Sequence, residues 1–370
     1  MKLPKKLALI MSMCIVSASL LSGCGNTDDA PSEEQATKAV DDYVIKMGYY
    51  NCDHMTAAPI AKDAGIFEEL GLNVEVTGNG KVPQAMAAGQ MDAGYIGVNG
   101  LMSSAAKGAP IVIGANNHKG GAYYLVVSND INSPQDLIGK KLGIGNEPEK
   151  NSEAWIQFAK EMDIPVEGSN YECVGFGSDS DKYLALKSGQ IDGYTACDPW
   201  GSMAEYEGTG KILAVNSLLE GEWGVCCTFS LNKNFTREHP ELSKKLVLAH
   251  TKAMEFIYTN PAESARIFAA NYNVPEEVAL MTLYKKTVKE GRTLTWVVNP
   301  DEINREIDWK KEHGFIDESV TYDTVVDTSF LEASGADDFD TFIKEKVDPV
   351  FPVGMSYEDW KAKVQELDKK

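Results

Sequence analysis

A short segment occurs twice in this chain, and the repeat limits the folds that the chain can adopt. Residues 85–92 read AMAAGQMD and residues 185–192 read ALKSGQID, so both follow the pattern Ala-x-x-x-Gly-Gln-apolar-Asp at a spacing of 100 residues. In each copy a helix would end at the glycine and a buried strand would begin after it. The repeat predicts two similar α/β lobes in series. Two unrelated helix ends that look alike by chance are the alternative.

Strand-like and helical runs alternate from residue 43 onward. Residues 43–48 are strand-like, for example, and a helix is predicted over 57–70 with its end at Gly71. This alternation is typical of parallel α/β sheets. The last third of the chain is mainly helical in pattern, with prolines near the predicted helix starts and a further helix expected over 357–367.

The N-terminus has the pattern of a secretory signal. Three lysines precede an apolar stretch of roughly 15 residues, and small residues follow it. Residues 21–24 read Leu-Ser-Gly-Cys, which resembles a bacterial lipobox. The resemblance implies a signal peptide over 1–23, a lipid on Cys24 and anchoring at the extracytoplasmic face of the cell membrane. A plain secretory signal is the alternative. Residues 24–42 would comprise the lipidated cysteine and a flexible tether, because the residues that follow Cys24 are small, polar and acidic.

Charge argues against nucleic acid as a partner. The net charge is −20, whereas nucleic-acid binding needs a basic surface. Basic residues cluster at Lys285-Lys286 and Lys310-Lys311, and we interpret both pairs as parts of solvated helix faces.

The cysteines do not form an obvious disulfide framework. Seven occur, and five remain once Cys14 and Cys24 are set aside with the N-terminal segment: Cys52, Cys173, Cys197, Cys226 and Cys227. An odd number cannot all pair internally, and few thiols in a long chain do not indicate a disulfide scaffold. Small buried packing residues are the simplest interpretation.

Three segments together resemble a known family. They are residues 57–67 (AAPIAKDAGIF), residues 71–75 (GLNVE) and the Gly-Gln-Met-Asp turn at 89–92. They are similar to the nitrate-, sulfonate- and taurine-binding proteins and their pyrimidine-precursor-binding relatives, which are the substrate-binding components of ABC importers. The resemblance implies a small-molecule solute, a cognate permease with its ATPase, a monomer and no cofactor.

The same resemblance implies an α/β, type II periplasmic-binding-protein fold with two lobes around a ligand cleft. We place the two hinge crossings near 117–121 and 217–224. The predicted domain bounds are 43–117 plus 224–320 for lobe one, 120–220 for lobe two, and 321–370 for a C-terminal extension that packs on lobe one.

Candidate ligand-binding residues lie in the loops after predicted strands, because ligands of open α/β sheets bind beyond the carboxyl ends of strands. Helix capping, tight turns or packing between the lobes would explain the same residue types. The candidates are Tyr50, Asn51, Cys52, Asp53, His54, Asn99, Asn117, His118, Asn151, Ser152, Asp198, Trp200, Trp223 and Cys226.

The types of these residues favour a neutral or cationic nitrogen compound, such as a heterocycle of the thiamine-precursor pyrimidine kind. The four arginines of the chain lie outside the predicted cleft loops. Sulfonates and carboxylates are often recognised by a bidentate arginine, so taurine, aliphatic sulfonates and nitrate are the alternative ligands.

Two other functions are considered. The first is the capture of a metal or metal complex by Cys52, His54, Cys226 and Cys227, whose thiols and imidazole are of the types that bind soft or borderline metals. The chain has no close-spaced Cys-x-x-Cys motif, however. An enzyme is not expected, since no nucleophile and base pair can be identified. Pyrimidine-synthase relatives carry a cysteine-rich run, of which residues 225–229 are only an incomplete match.

Overall fold

The computed structural model describes residues 42–50, 52–78, 80–219 and 222–369 of the chain. The predicted signal peptide, Cys24 and nearly all of the predicted tether lie outside the described residues, as does Asn51. These assignments therefore stay predictions. Within the described residues, no helix combines the length and the apolar character that crossing a membrane requires.

The described strands, numbered β1 to β12 in chain order, form two large sheets and one small one. They are Val44–Tyr49, Asn73–Gly78, Ala93–Gly97, Ile111–Lys119, Tyr124–Val127, Lys141–Gly143, Glu172–Cys173, Gly193–Ala196, Lys211–Val215, Leu218–Leu219, Glu222–Trp223 and Val225–Asn232. The first sheet has the order β2-β1-β3-β12-β4, and the second has the order β7-β6-β8-β5-β9. The two orders are equivalent, position by position.

Each large sheet is parallel except at its fourth strand. Strand β12 runs antiparallel to β3 and β4, and β5 runs antiparallel to β8 and β9. The prediction of parallel sheets was therefore wrong at one strand in each. The reason is the path of the chain: β5 follows a crossing at 120–123 and β12 follows a crossing at 216–224. A chain that leaves one sheet at the carboxyl ends of its strands enters the other sheet at the corresponding edge and must run the opposite way.

The repeated segment has the same local structure in both copies. Gly89 and Gly189 both have a positive φ, of 68° and 70°. The carboxylate of Asp92 accepts from the backbone N–H of Lys46 on β1 at 2.9 Å, and the carboxylate of Asp192 accepts from that of Lys141 on β6, also at 2.9 Å. Both aspartates thus fix a strand entry in the same way, which confirms two similar α/β units rather than a chance likeness.

The described helices are numbered α1 to α17. They are Ala57–Asp63, Ile66–Glu69, Val82–Ala87, Val98–Ala105, Pro148–Asn151, Glu153–Glu161, Asp179–Lys187, Trp200–Tyr206, Lys233–Glu238, Pro240–Thr259, Pro261–Tyr272, Glu276–Tyr284, Pro300–Glu312, Tyr322–Val325, Ser329–Glu332, Phe339–Phe342 and Tyr357–Leu367. The helix predicted over 357–367 is confirmed as α17. The helix predicted over 57–70 is divided into α1 and α2, because Gly65 between them adopts a left-handed φ of 76°.

The C-terminal helices connect different parts of the fold. Helix α10 packs on α1 and on β12 of the first sheet, whereas α12 contacts α8, which lies beside the second sheet. Helix α15 contacts α10 and β4, and α17 contacts α11 and α12. Trp360 of α17 is almost fully buried. Residues of the last third of the chain therefore contribute to the core and reach both sheets.

Candidate functional site

A cavity of about 570 Å³ lies between the two large sheets. Its lining on the side of the first sheet consists of Tyr50, Cys52, His54, Met55, Gly97, Val98, Asn99, Gly100, Val225, Cys226, Cys227 and Glu306. On the side of the second sheet it consists of Ala122, Tyr123, Glu153, Ala154, Gln157, Ser178, Asp179, Ser180, Cys197 and Trp200. Many of these residues directly follow strands of either sheet, so a molecule in the cavity would touch both.

The turn after β1 holds His54 in a fixed orientation. Nδ1 of His54 donates to Oδ1 of Asp53 at 2.9 Å, because an ionised carboxylate only accepts. The side-chain amide of Asn117 donates to the backbone carbonyl of His54, and the hydroxyl of Tyr272 donates to that of Cys52 at 3.0 Å. With Nδ1 engaged by Asp53, Nε2 is the ring nitrogen left to face the neighbouring sulfur atoms.

Four thiols surround this imidazole. Nε2 of His54 lies 3.3 Å from Sγ of Cys52 and 3.7 Å from Sγ of Cys226. Sγ of Cys227 is 3.3 Å from that of Cys226, and Sγ of Cys197 lies within 4.8 Å of that of Cys52. All of these thiols are free. We call these five residues the thiol–imidazole cluster.

Charge within the cluster changes the proton affinity of its members. Burial opposes ionisation of Cys52, but a hydrogen bond from Cys197 and the charge of His54 lower the pKa of Cys52 to about 7. Burial likewise opposes ionisation of Cys226, yet Cys227 and His54 hold its pKa well below the usual range. Burial would lower the pKa of His54, but Cys226, Cys52 and Asp53 together raise it well above the usual value. The cluster thus favours a thiolate beside an imidazolium.

A second imidazole lies directly behind the first. The ring of His118 stacks on that of His54 with a centroid distance of 4.7 Å. Burial, reinforced by the charge of Lys286, lowers the pKa of His118 to about 4, so the ring is neutral. Among the described residues, neither of its nitrogens makes a well-aligned hydrogen bond, and the thiol of Cys226 is a polar group close enough to interact with the ring.

A buried charge network lies below the cluster, and it corrects the interpretation of Lys285-Lys286 as a solvated pair. Lys286 is fully buried, with Nζ 3.2 Å from Asp53 and 3.1 Å from Glu290. Lys285 is also buried and lies 3.5 Å from Asp198. Burial opposes the charge of Lys286, but the carboxylates of Asp53 and Glu290 raise its pKa above the usual value. Packing of α12 against α8 encloses both lysines.

For the second lysine pair, Lys310-Lys311, the interpretation as a solvated pair is wrong for one of the two residues. Lys310 of α13 is buried, whereas Lys311 is partly exposed. Nζ of Lys310 lies 2.6 Å from Glu153 of α6 and 2.9 Å from Glu306. Burial raises the pKa of Glu306. Lys310 therefore bridges carboxylates that line opposite sides of the cavity.

Aromatic rings form part of the cavity walls. Tyr50 lies on the side of the first sheet, and Tyr123 and Trp200 lie on the side of the second. The ring of Trp200 packs beside that of Tyr183 at a centroid distance of 5.8 Å. Burial raises the pKa of Tyr50 to about 12, so its hydroxyl stays protonated and can donate.

The structure places the sequence candidates in three groups. Those that line the cavity are Tyr50, Cys52, His54, Asn99, Trp200 and Cys226. Those buried behind the lining are Asp53, Asn117, His118 and Asp198. Asn151 and Ser152 are outside the lining, where Ser152 caps α6 by accepting from the N–H of Trp155 at 3.2 Å. For Trp223, the structure describes only the backbone, in β11. Asn99 lies in the first turn of α4 rather than in a loop.

Several lining residues were not among the candidates. Asp179 follows β7 at the start of α7, so the strand-end argument could have found it. Tyr123 lies in the first crossing, where the same argument also applied. Glu153 and Gln157 are on α6, and Glu306 comes from α13, far along the chain. No local sequence pattern marks Glu306, because only tertiary packing brings α13 to the cavity.

Comparison with known proteins identifies the family to which this chain belongs. The NMT1/THI5-like family model matches residues 51–264, and the chain belongs to this family. A putative binding protein of Brucella abortus (strain 2308) is 28% identical over 262 residues, which are 69% of this chain and 78% of the relative. The taurine-binding periplasmic protein of Escherichia coli K12 is 26% identical over 183 residues, which are 49% of this chain and 55% of the relative.

Solved structures confirm the predicted periplasmic-binding-protein fold. The zinc-bound ligand-binding component of an ABC-type import system from Staphylococcus aureus superposes with a TM-score of 0.63 at 18% identity, covering 80% of this chain and 99% of that one. The desulfurization enzyme DSZB superposes with a TM-score of 0.59 at 15% identity, covering 78% and 98%. This fold therefore occurs both in binding proteins and in an enzyme. The fold alone does not distinguish the two functions, so the function has to be argued from the residues of the site.

Proposed function

We propose that this protein is the extracytoplasmic solute-binding component of an ABC importer. The observation that carries the proposal is the cavity of about 570 Å³ lined by residues of both sheets. That volume suits a small organic solute. A solute in contact with both sheets would stabilise their closed arrangement, and a permease can recognise that arrangement.

The ligand that we propose is a neutral or cationic nitrogen compound with a flat ring, such as a thiamine-precursor pyrimidine. Glu153, Asp179 and Glu306 supply carboxylates to the lining. Tyr123 and Trp200 supply aromatic faces on which a ring can stack. Carboxylates accept hydrogen bonds from amino groups and attract cations, so the lining matches such a compound in charge and shape.

Anionic solutes are the second candidate class, since a taurine-binding protein is among the relatives. A sulfonate needs several converging donors or a positive charge. None of the described lining residues is an arginine or a lysine. The charged imidazole of His54 does line the cavity, but Asp53 already accepts from it, and Lys310 is already engaged by two carboxylates. The lining therefore favours the nitrogen compound.

The remaining features of the proposal concern the cellular setting. We propose that cleavage before Cys24 and lipidation anchor a monomer to the outer face of the cell membrane, with residues up to 42 as a tether. The lobe bounds and hinge crossings predicted from the sequence are part of this proposal. The partners would be a permease and its ATPase. The protein would deliver its solute unchanged, without a cofactor.

Calorimetry on the protein without its signal peptide tests the ligand class. Titration with formylaminopyrimidine, taurine, alkanesulfonates and nitrate should give binding of the pyrimidine alone. Trp200→Ala should weaken that binding by roughly 10-fold or more, because a stacking face is lost. Tyr206→Ala on the same helix is the control, since Tyr206 is 50% exposed. Micromolar binding of taurine alone would reject the proposed ligand, and no binding by any of the compounds would count against the solute class.

A further inference from the structure

The thiol–imidazole cluster has the donor spacing of a metal site. A tetrahedral zinc ion with Zn–S of about 2.3 Å and Zn–N of about 2.0 Å separates its sulfur and nitrogen ligands by about 3.5 Å. Nε2 of His54 lies 3.3 Å from Sγ of Cys52 and 3.7 Å from Sγ of Cys226. Each of these sulfur atoms thus lies from Nε2 of His54 at the distance that separates two ligands of one zinc ion, and the ligand atoms of Cys52, His54 and Cys197 all lie within 4.8 Å of one another.

The partner of His54 is the one that a metal-binding histidine requires. A ligating imidazole usually donates its other N–H to a carboxylate, which fixes the ring orientation. Asp53 accepts from Nδ1 of His54 at 2.9 Å, and Lys286 holds Asp53 from behind at 3.2 Å. Nε2 of His54 is therefore the nitrogen available to a metal ion.

A second observation separates the cluster from ordinary packing. His118 is fully buried and stacks on His54, and among the described residues neither of its ring nitrogens makes a well-aligned hydrogen bond, while the thiol of Cys226 is close enough to interact with the ring. Buried polar groups normally have well-formed hydrogen bonds. A buried imidazole whose polar neighbour is a thiol is unusual for an apolar core, and it adds a further nitrogen donor next to the cluster.

The cluster also includes residues from both sides of the cavity. Cys52, His54 and Cys226 belong to the side of the first sheet, while Cys197 directly follows β8 of the second. Sγ of Cys197 lies within 4.8 Å of that of Cys52. An ion bound by Cys52, His54 and Cys197 would therefore be held from both sides of the cavity, and its binding would depend on the two sheets staying together.

We propose that the cavity binds a thiophilic metal ion of the zinc type through Cys52 and His54 from one side and Cys197 from the opposite side, with Cys226 next to His54 as a fourth ligand. The proposal deepens the proposed function, since the ion would be the solute or part of it. Two thiolates and one imidazole suit a borderline-soft cation. Binding displaces the protons of these groups to solvent and transfers no electrons. The cavity is far larger than one ion, so space remains for an organic molecule above it.

The test uses the protein without its signal peptide, reduced with a phosphine and kept free of oxygen. Zn²⁺ binding is measured by competition with a chromophoric chelator, and Co²⁺ serves as a spectroscopic probe. We expect one ion per chain, and thiolate-to-cobalt charge-transfer absorption with tetrahedral d–d bands. Cys52→Ser and Cys197→Ser should each weaken Zn²⁺ binding by more than about 100-fold, and Cys226→Ser should weaken it less.

Cys173→Ser is the matched control, because Cys173 lies on β7 outside the cavity, where its thiol donates to the carbonyl of Gly168. It should bind Zn²⁺ as the unmodified protein does. Circular dichroism and urea unfolding of each variant separate loss of the site from loss of the fold; if Cys52→Ser fails to fold, Cys52→Ala and the cobalt spectrum of the unmodified protein decide. Zn²⁺ binding no tighter than millimolar, equal losses in Cys173→Ser and Cys52→Ser, or a cobalt spectrum without thiolate bands would overturn the proposal.

Titration of organic solutes into chelator-treated protein keeps this proposal distinct from the proposed function. Pyrimidine binding without Zn²⁺ binding would reject the metal site and leave solute binding intact. Zn²⁺ binding with no organic ligand would support the metal site and reject the proposed pyrimidine.

Discussion

The buried Lys286 provides the sharpest test of the charge network below the cavity. In Lys286→Met the ammonium is lost, while the carboxylates of Asp53 and Glu290 stay buried, at 3.2 Å and 3.1 Å from the former position of Nζ. Removing one member of a buried ion pair costs about 3–5 kcal/mol, because the remaining charge is unpaired in a poorly solvated site. Asp53 keeps its hydrogen bond from His54 and Glu290 keeps the one from the hydroxyl of Tyr124, so we expect the lower part of that range.

Lys289→Met is the matched control. Lys289 lies in the same helical segment but is exposed. Replacing an exposed lysine should change the free energy of unfolding by no more than about 0.5 kcal/mol. The two variants thus remove the same side chain, one from inside the network and one from the surface.

Urea unfolding followed by circular dichroism measures the difference. With an m value of roughly 3 kcal/mol per molar, a loss of about 3 kcal/mol lowers the midpoint by about 1 M. Adding Glu290→Gln to Lys286→Met should restore part of the loss, because one unpaired carboxylate is removed. If both single variants unfold within about 0.2 M of the unmodified protein, Lys286 is not a buried partner and the reasoning fails.

Three further predictions concern other parts of the molecule. Burial lowers the pKa of His250 to about 4, so on acidification the unfolded chain takes up a proton at this residue before the folded protein does. The amount by which the free energy of unfolding of the unmodified protein exceeds that of His250→Gln should therefore fall by about 3 kcal/mol between about pH 7 and about pH 4. A difference that does not change with pH would contradict this. Lys310→Met leaves two facing carboxylates unpaired across the cavity and should weaken solute binding in calorimetry by roughly 10-fold or more, whereas unchanged affinity would show that the bridge does not support the bound arrangement. In Gly94→Ala the new methyl group would lie 2.4 Å from Val82, so the midpoint of thermal unfolding should drop by an amount that corresponds to a loss of about 1–3 kcal/mol in the free energy of unfolding. Gly80→Ala is the control, because open space surrounds Gly80 and its midpoint should not drop in this way. Equal midpoints for the two variants would be inconsistent with the packing described.

Local patterns in the sequence were sufficient to predict the two-unit architecture. The repeated Gly-Gln-apolar-Asp segment is a local structure: a left-handed glycine, followed by an aspartate that accepts from a neighbouring strand. Such turns depend on a few adjacent residues, so the sequence could show them. The strand-end argument similarly led to Tyr50, Cys52, His54 and Trp200, all of which line the cavity.

Only the tertiary structure decided which charged residues belong to the interior. Two adjacent lysines on a helical segment look solvated from sequence alone, and Lys285-Lys286 became buried because α12 packs against α8 and carboxylates from distant segments surround both side chains. Glu306 likewise reaches the cavity through the packing of α13. The sequence by itself determined the repeated α/β units and the loops that close each strand, because those depend on near neighbours. The charges below and across the cavity depend on pairs such as Lys286 with Asp53 and Lys310 with Glu153, which are far apart along the chain, and only folding brings those residues together.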